Sequence, residues 1–345
     1  MLSIVLTVVG LGLLIAAHEA GHLLLARLMG MRVETYSLGF GPRIWGFTRG
    51  GTDYRLSALP LGGYCKIAGF TPDDPAAQDP NDPGSYTNKP AWRRFLVIAA
   101  GPGVNYLCAF LLLAILYSAV GTPVRGHVNV AVQPEGPAAA AGLQTGDEVL
   151  AIDGARVHSL GEVIGVLHAA NAPAVRQFEL LRKGQPLMLT VTPVNGKIQV
   201  GPLQTYARAP FGEALSQAGQ EIVLITRETL AAFWNLLHFR GGSALSGPIG
   251  IVKQGAAQVE RGMAEFVALL ALISVDLAIF NFLPVPALDG GRLVFLGYEL
   301  ITRKRVNHKA ETVVHLVGFL LLFGLIVAVT VFGDLQLGKK LFHRG

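Results

Sequence analysis

Two histidines and a glutamate within five residues give the strongest chemical signal in this 345-residue sequence. His18 and His22 are four positions apart, so on a helix both imidazoles project from one face and reach one tetrahedral metal ion, with Glu19 on the adjoining arc. They lie in an apolar segment, Leu2–Met29. Because charges in hydrocarbon cost about 2.5 kcal/mol or more each unless they serve one another or a metal, the pattern predicts metal binding.

A catalytic zinc site needs a third protein ligand and an open position for water. The two cysteines, Cys65 and Cys108, cannot form a Cys-rich zinc module, so the ligand must be an acid or another histidine. Asp276 and Asp289 are the acids at membrane depth outside the first segment. The Pro284-Val285-Pro286 break frees the backbone and allows Asp289 to be aimed into a protein-lined cavity, whereas a mid-helix Asp276 can pair with a polar neighbour. We therefore favour Asp289.

The composition indicates a membrane protein rather than an ordinary cytosolic globule. Hydrophobic residues make up 51% of the chain, charged residues only 15%, and the mean hydropathy is +0.47. Four apolar segments are long enough to span a bilayer, which takes about 20 residues each: Leu2–Met29, Phe95–Val120, Phe266–Leu283 and Thr312–Gly333. The first has no basic region before it, which favours a retained anchor over a cleaved signal peptide. We expect a polytopic α-helical membrane protein with four transmembrane helices.

Basic residues indicate the orientation of these spans. The net charge is +5, yet no nucleic-acid motif accompanies it, so we expect no nucleic-acid partner. Nine basic residues lie between Arg27 and Arg94, and the turn before the last span carries Arg303, Lys304, Arg305 and Lys309. The positive-inside rule predicts that both segments are cytoplasmic, and that the N-terminus, residues 122–264 and the C-terminus are extracytoplasmic. The tail residues Lys339, Lys340 and Arg344 oppose this orientation weakly.

Residues 122–205 read as one small α+β domain between the second and third spans. His127–Val132 and Glu148–Ile152 alternate like strands, Ser159 and Glu162 form a capping box, and Lys183-Gly184 reads as a hairpin turn. The stretch Gly136–Gly154 resembles the signature of a bacterial, circularly permuted PDZ domain. The resemblance implies a peptide-binding strand edge, with a carboxylate-binding loop near Lys197–Gly201. The alternative is a cap that excludes large substrates and binds no peptide.

Two further segments flank these elements. Phe211–Phe239 is amphipathic and is predicted to lie at the bilayer surface. Thr71–Pro90 is rich in proline, aspartate and asparagine. Its acids lack EF-hand spacing, so we expect a flexible, solvated linker rather than a calcium site; they are Asp73, Asp74, Asp79 and Asp82.

Together, four motifs in order resemble the site-2 protease family of intramembrane zinc metalloproteases, specifically the bacterial regulator of sigma-E protease type. They are His18-Glu19-Ala20-Gly21-His22, Ala99-Ala100-Gly101-Pro102 with Asn105, Ser246-Gly247-Pro248-Ile249-Gly250-Ile251, and Asn281–Gly291. The resemblance implies that His18, His22 and Asp289 bind Zn²⁺. It further implies that Glu19 is the general base and that Asn281 takes part in substrate handling.

Residues Val33–Phe47 and Tyr54–Ile67 resemble the membrane re-entrant β-loop of that family, whose strand edge would hold the substrate extended. The candidate substrate-binding residues are Gly39, Phe40, Gly41, Leu59, Pro60, Leu61, Gly62 and Gly63. A cytoplasmic β-hairpin without substrate contact is the alternative, because alternation alone indicates only strands.

The resemblance implies hydrolysis of peptide bonds within single-span membrane proteins that an upstream site-1-type protease has already trimmed. Anti-sigma factors and remnant signal peptides are the implied substrates, and the bacterial inner membrane is the implied location, with the active site toward the cytoplasm. The sequence carries one PDZ-like domain where the best-known member has two, so the two-domain gating scheme does not transfer.

The resulting domain plan has seven parts: the first span (1–29), a cytoplasmic segment with the β-loop (30–94), the second span (95–121), the PDZ domain (122–205), the amphipathic helix and GPIGI segment (206–262), the broken third span (263–302), and the last turn, span and tail (303–345). One rival is a catalytically silent PDZ adaptor with a structural zinc. The other is a transporter that uses the broken span, although the sequence lacks the inverted repeat usual for one.

Overall fold

The computed structural model describes residues 1–71, 73–123, 128–167, 175–194, 197–203, 206–238 and 247–334. The predicted C-terminal tail, Ser246 and His127 lie outside these ranges. The chain divides into two compact units, one made of Met1–Leu116 with Leu215–Gly345 and the other of Tyr117–Ala214.

Within the described residues, four helices are long and apolar enough to cross a membrane, and they coincide with the four predicted spans. They are Leu2–Leu28, Ala91–Ala119, Met263–Phe282 and Ala310–Val331. The second helix begins at Ala91, before the predicted Phe95, because a hydropathy window ends at the charged Arg93 and Arg94 while the backbone remains helical. The chain thus has the helices that a multi-pass membrane protein requires.

The first unit begins with five elements: α1 (Leu2–Leu28), β1 (Val33–Arg49), β2 (Thr52–Ile67), α2 (Pro75–Gln78) and α3 (Ala91–Ala119). Both strands bend midway, so that together they form a sheet of four segments. Its order is 45–49, 52–56, 33–38 and 63–67. The bends fall at Gly39, Gly41 and Gly62, whose φ angles of 87°, 90° and 106° favour glycine. Residues 63–67 therefore form an outer edge of this sheet.

The second unit contains the β-rich part of the chain. Its elements are β3 (Thr122–Pro123), β4 (Val128–Val132), α4 (Pro137–Ala140), β5 (Glu148–Ile152), β6 (Ala155–Arg156), α5 (Leu160–Leu167), β7 (Arg176–Arg182), β8 (Gln185–Val191), β9 (Val200–Pro202) and β10 (Tyr206–Ala207). The main sheet is antiparallel in the order β8-β7-β5-β4-β9, with β6 beside β5. A hydrophobic core of mostly branched aliphatic side chains surrounds Phe178 in this unit.

Local signals in this unit agree with their sequence patterns. Lys183 and Gly184 have φ angles of 52° and 79°, the left-handed pair that a two-residue hairpin turn needs. The Glu162 N–H donates to Ser159 Oγ at 3.2 Å, as in a capping box, and Glu162 Oε2 accepts from the His158 N–H at 2.8 Å, one residue before the N-cap.

The first unit resumes within the long helix α6 (Phe211–Leu237), followed by α7 (Pro248–Arg261), α8 (Met263–Phe282), α9 (Asp289–Thr302), α10 (His308–Ala328) and a π-helical turn at Val329–Asp334. Helix α8 ends before Pro284, as the sequence predicts, and α9 starts at Asp289. The predicted third span is therefore interrupted just before Asp289.

The linker Thr71–Pro90 differs from its prediction as a free, solvated segment. Asp74 accepts a hydrogen bond from the Ala76 N–H at 2.9 Å and caps α2. Asp82 accepts from the Gly84 N–H at 2.8 Å and pairs with Arg32 at 2.9 Å. These acids cap turns, and the pairing depends on an arginine 50 positions away, which local composition does not reveal.

Candidate metal centre

Three side chains from two helices converge at one point in the first unit. His18 Nε2 lies 3.1 Å from Asp289 Oδ2, His22 Nε2 lies 3.3 Å from the same oxygen, and the two Nε2 atoms are 3.2 Å apart. The three residues form the one cluster of His, Cys, Asp or Glu suited to a metal ion in the part of the chain that the structure describes.

These distances fit a tetrahedral zinc ion. Bonds of about 2.0 Å from zinc to nitrogen or oxygen put neighbouring ligand atoms about 3.3 Å apart, close to the three separations observed. Asp289 Oδ2 is buried and accepts no hydrogen bond. Three atoms with free lone pairs that face one another at this distance repel unless a cation lies between them. The donor set therefore suits zinc.

Each imidazole is oriented through its other nitrogen. His22 Nδ1 lies 2.8 Å from the Val97 carbonyl oxygen, which can only accept, so the proton is on Nδ1 and the Nε2 lone pair faces Asp289. The Asn105 amide faces His18 Nδ1, with its nitrogen 3.2 Å away and its oxygen buried without a partner. Turning the amide by 180° gives that oxygen the His18 Nδ1–H and leaves His18 Nε2 free for an ion.

Two glycines allow α1 and α3 to approach closely enough for these contacts. A Cβ on Gly21 would lie 2.5 Å from the Ala100 carbonyl oxygen, and one on Gly101 would lie 2.8 Å from His18 Nε2 and nearer still to His22 Nε2. Small residues commonly bring membrane helices together in this way. The glycines of these two motifs therefore serve the close packing of α1 against α3 at the candidate metal centre.

Asp289 reaches the cluster because the chain turns tightly between α8 and α9. Leu288 has extended backbone and is the N-cap of α9, so Asp289 is its first residue. A Cβ on Gly290 would collide with the Leu283 carbonyl oxygen, which shows how tightly the loop closes. The carboxylate projects from the N-terminal end of a helix, where the backbone dipole favours negative charge.

Glu19 lies between the cluster and the bent sheet. Its carboxylate interacts electrostatically with His18, His22 and Asp289. A Cβ on Gly63 would lie 3.4 Å from Glu19 Cγ, so the edge segment 63–67 runs directly beside this side chain. Tyr36 fixes the sheet to α1 by donating its hydroxyl to the Ala16 carbonyl oxygen at 2.7 Å.

The other sequence-predicted site residues occupy the two bends and the end of α8. Gly39, Phe40 and Gly41 lie at the bend of β1, and Phe40 stacks on Tyr64. Leu59, Gly62 and Gly63 lie at or after the bend of β2, whereas the side chains of Pro60 and Leu61 are outside the described part. Asn281 donates to the Leu277 carbonyl oxygen at 2.9 Å in its own helix rather than to the cluster.

The second candidate acid, Asp276, pairs elsewhere. Its Oδ1 accepts a hydrogen bond from Thr229 Oγ of α6 at 2.7 Å. This is the polar neighbour that the sequence argument assigns to a mid-helix acid, and Asp276 is not part of the cluster.

Sequence reasoning did not assign roles to Asn105, Val97 and His315. Asn105 appears in the second motif, and its position as the one carboxamide in an apolar segment without charged residues is the signal that could have marked it. The Val97 carbonyl has no sequence signal, because every residue carries one. His315 is the one histidine in the last apolar segment, and that isolation is its signal.

The comparisons with known proteins agree with this geometry. The model of peptidase family M50 matches residues 6–325. A Nostoc protein named as a zinc metalloprotease is 34% identical, covering 99% of this chain and 98% of the relative. One from Clostridium perfringens is 31% identical, with 95% and 97% covered. Zinc metalloprotease RasP of Geobacillus kaustophilus is 30% identical, with 97% and 98% covered.

Family match, relatives and spans together lead to one assignment. The match covers the helices that carry the three clustered side chains, and the four apolar helices belong to the same chain. The chain belongs to peptidase family M50, the site-2 protease family, and is a multi-pass membrane zinc metalloendopeptidase.

Proposed function

We propose that this enzyme hydrolyses peptide bonds within transmembrane segments of pre-trimmed single-span proteins, with His18, His22 and Asp289 as its zinc ligands. The observation that carries the proposal is the convergence of His18 Nε2, His22 Nε2 and Asp289 Oδ2 within 3.1–3.3 Å. Two of these residues lie in a helix that is long and apolar enough to span a bilayer. A site in that position acts on bonds that soluble proteases do not reach.

When bound, zinc supplies Lewis-acid activation of the attacking water and of the scissile carbonyl. Glu19 accepts the proton of the water on a carboxylate oxygen and delivers it to the leaving amine nitrogen. Its place beside the cluster and beside Gly63 supports this role, because the same carboxylate faces both the metal ligands and the sheet edge. The Val97 carbonyl and Asn105 keep the imidazole lone pairs directed at the ion.

The edge segment 63–67 is the proposed substrate platform. Among the described residues it pairs with 33–38 on one side and has no ladder partner on the other. An extended segment added along this edge would pass Glu19, whereas a helical one keeps its peptide groups in its own hydrogen bonds. Exposed Phe40, Leu59 and Trp45 on the sheet are consistent with insertion into the membrane.

The second unit and the orientation complete the proposal. We assign residues 122–205 as a PDZ-like extracytoplasmic domain that either binds a peptide or excludes bulky, untrimmed substrates. The N- and C-termini are extracytoplasmic, the active site faces the cytoplasm, and the enzyme resides in a bacterial inner membrane. Anti-sigma factors and remnant signal peptides cut first by a site-1-type protease are the proposed substrates. Asn281 is proposed to contact the substrate rather than the metal.

The test is co-expression with a tagged, pre-trimmed single-span substrate. Glu19→Gln removes the base and spares all three ligands, so cleavage should fall by at least about a hundredfold, the usual contribution of general acid–base catalysis. Zinc content should stay near one ion per chain. The matched control is Glu228→Gln, which changes an exposed acid on α6 and should cleave like the parent.

Unchanged substrate processing in cells that express Glu19→Gln would contradict the proposal and would favour a PDZ adaptor with a structural zinc, which leaves the cleavage to another protease. Loss of zinc in Asp276→Ala but not in Asp289→Ala would overturn the ligand assignment. A substrate that still carries its outer domain should be cut only after residues 124–203 are deleted, if the domain excludes it.

A further inference from the structure

The loop between α8 and α9 contains a backbone conformation that side-chain-bearing residues rarely adopt. Ala287 has a φ of 78°, in the left-handed region that glycine adopts readily and alanine only rarely. Such a residue persists only where neighbouring groups hold it. Because Asp289 follows two positions later, whatever holds Ala287 also sets the direction of that carboxylate.

A histidine on α10 supplies one of these holding contacts. The Ala287 N–H donates to His315 Nδ1 at 3.0 Å, across 28 positions of sequence. An accepting Nδ1 carries no proton, so the imidazole is neutral with its proton on Nε2. Losing this acceptor would break the hydrogen bond that joins the Ala287 backbone to α10.

Glycines on both partners bring α10 into contact with the loop. A Cβ on Gly318 would run into Pro286, with the Pro286 carbonyl carbon and oxygen 2.8 Å away. A Cβ on Gly291 would lie 3.1 Å from His315 Cε1. His315 and Gly318 are three positions apart on one helix face, so this face contacts the loop before Asp289 and the helix turn after it.

We infer that His315 and Gly318 are positioning residues that hold the Ala287 loop and thereby fix Asp289 against His18 and His22. Neither residue touches the reacting atoms. Without the acceptor at position 315, Ala287 relaxes toward negative φ, and the carboxylate leaves the spacing that suits the ion. The inference rests on the proposed ligand set, since it concerns how well Asp289 is placed as a ligand.

Zinc affinity in detergent, measured by competition with a chelator, tests the inference without any substrate. His315→Leu removes the acceptor and should weaken zinc binding about tenfold, the lower end of the range for groups that orient a ligand. His315→Asn places an amide oxygen near the former Nδ1 and should recover most of the affinity. Gly318→Ala should weaken binding, whereas Gly324→Ala, with no atom within 4 Å of the added Cβ, should not.

The metal-free unfolding midpoint of each variant separates positioning from packing. Lower zinc affinity in His315→Leu at an unchanged midpoint, with recovery in His315→Asn, supports the inference. Parent-like affinity in His315→Leu overturns it, and so does a lowered midpoint shared by His315→Leu, His315→Asn and Gly318→Ala, which would indicate a packing role. Equal zinc binding by the parent and Asp289→Ala would instead refute the proposed ligand set.

Discussion

The two units of this protein are stabilised by different physical means. In the second unit, Phe178, Ile152 and Leu180 are buried to within 1% of their surface, and the hydrophobic effect is the main force. In the first unit, backbone contacts at Gly21, Gly101 and other glycines bring the helices together, because lipid is as apolar as leucine and provides no such force. Adding a side chain at one of these glycines should therefore damage the first unit, and removing a buried side chain should damage the second.

The units also differ in the partners that they give to one buried acid each. In the second unit, the buried Asp147 pairs at 2.7 Å with Arg182, which is partly exposed. In the first unit, the histidines and Asp289 are largely buried, and each imidazole has a dedicated partner on its second nitrogen. The second unit thus pairs a buried acid with arginine, whereas the first sets Asp289 against two imidazoles.

The largest expected effect comes from adding one methyl group beside the metal centre. Gly101→Ala places a Cβ against both Nε2 atoms, so zinc content and cleavage should be lost, by at least about a hundredfold in rate. Gly103→Ala is the matched control two positions along α3, where an added Cβ meets nothing within 4 Å. Zinc analysis and the cleavage assay measure both, and a fully active Gly101→Ala would show that the helices can separate at no cost.

The next largest effect comes from removing a side chain in the second unit. Phe178→Ala should destabilise that unit by about 3–5 kcal/mol because a fully buried aromatic leaves a cavity. Hydrogen exchange of β5 and β7 amides in the full-length protein measures the loss. Met188→Ala, at a side chain 63% exposed, is the control. Zinc affinity should not change in either variant, and a parallel fall in it would mean that the units do not fold independently.

The partner of His18 should have a smaller effect on the metal centre. Asn105→Leu removes the acceptor for His18 Nδ1–H and should weaken zinc binding about tenfold to a hundredfold. Asn105→Asp keeps an acceptor for that N–H, so its zinc affinity should stay near that of the parent. If both variants bind zinc like the parent, the rotated amide arrangement is wrong.

The smallest effect is a pH dependence confined to the second unit. The Arg182 guanidinium and the Gln144 N–H hold the pKa of Asp147 below its ordinary value. A lowered pKa in the folded state stabilises above the unfolded value of about 4, and this stabilisation is lost as the pH falls through the folded value. Protection of β5 amides, corrected for intrinsic exchange, should therefore decline below about pH 4. Asp147→Asn should flatten that decline, and an unchanged slope would exclude the pair as its cause.

The sequence predicts those features that depend on local pattern. The spans follow from hydropathy, and the hairpin at Lys183-Gly184 and the capping box at Ser159 follow from residues that carry their own conformational preference. The spacing of His18 and His22 places both on one helix face whatever the rest of the chain does. The preference for Asp289 over Asp276 needed only the proline break, which is also local.

Other features depend on contacts between distant segments and could not be predicted. Which helix face Asn105 presents depends on the approach of α3 to α1, and the use of His315 depends on where α10 packs. The bent strands show the same limit, since alternation predicts two strands but not their folding into four paired segments. Composition predicts solvated aspartates in Thr71–Pro90, because the sequence does not show that Arg32 lies beside Asp82 in the fold.

If substrates pair along the edge of residues 63–67, as proposed, this has a consequence for which substrates the enzyme distinguishes. Main-chain N–H and C=O groups are the same for every amino acid except proline, so pairing along an edge ranks polypeptides by how readily they uncoil rather than by their side chains. Two segments of equal hydrophobicity would then be cut at rates that follow their helix propensity. Substitutions in a substrate that raise its helix propensity would then slow its cleavage, with no change in the enzyme.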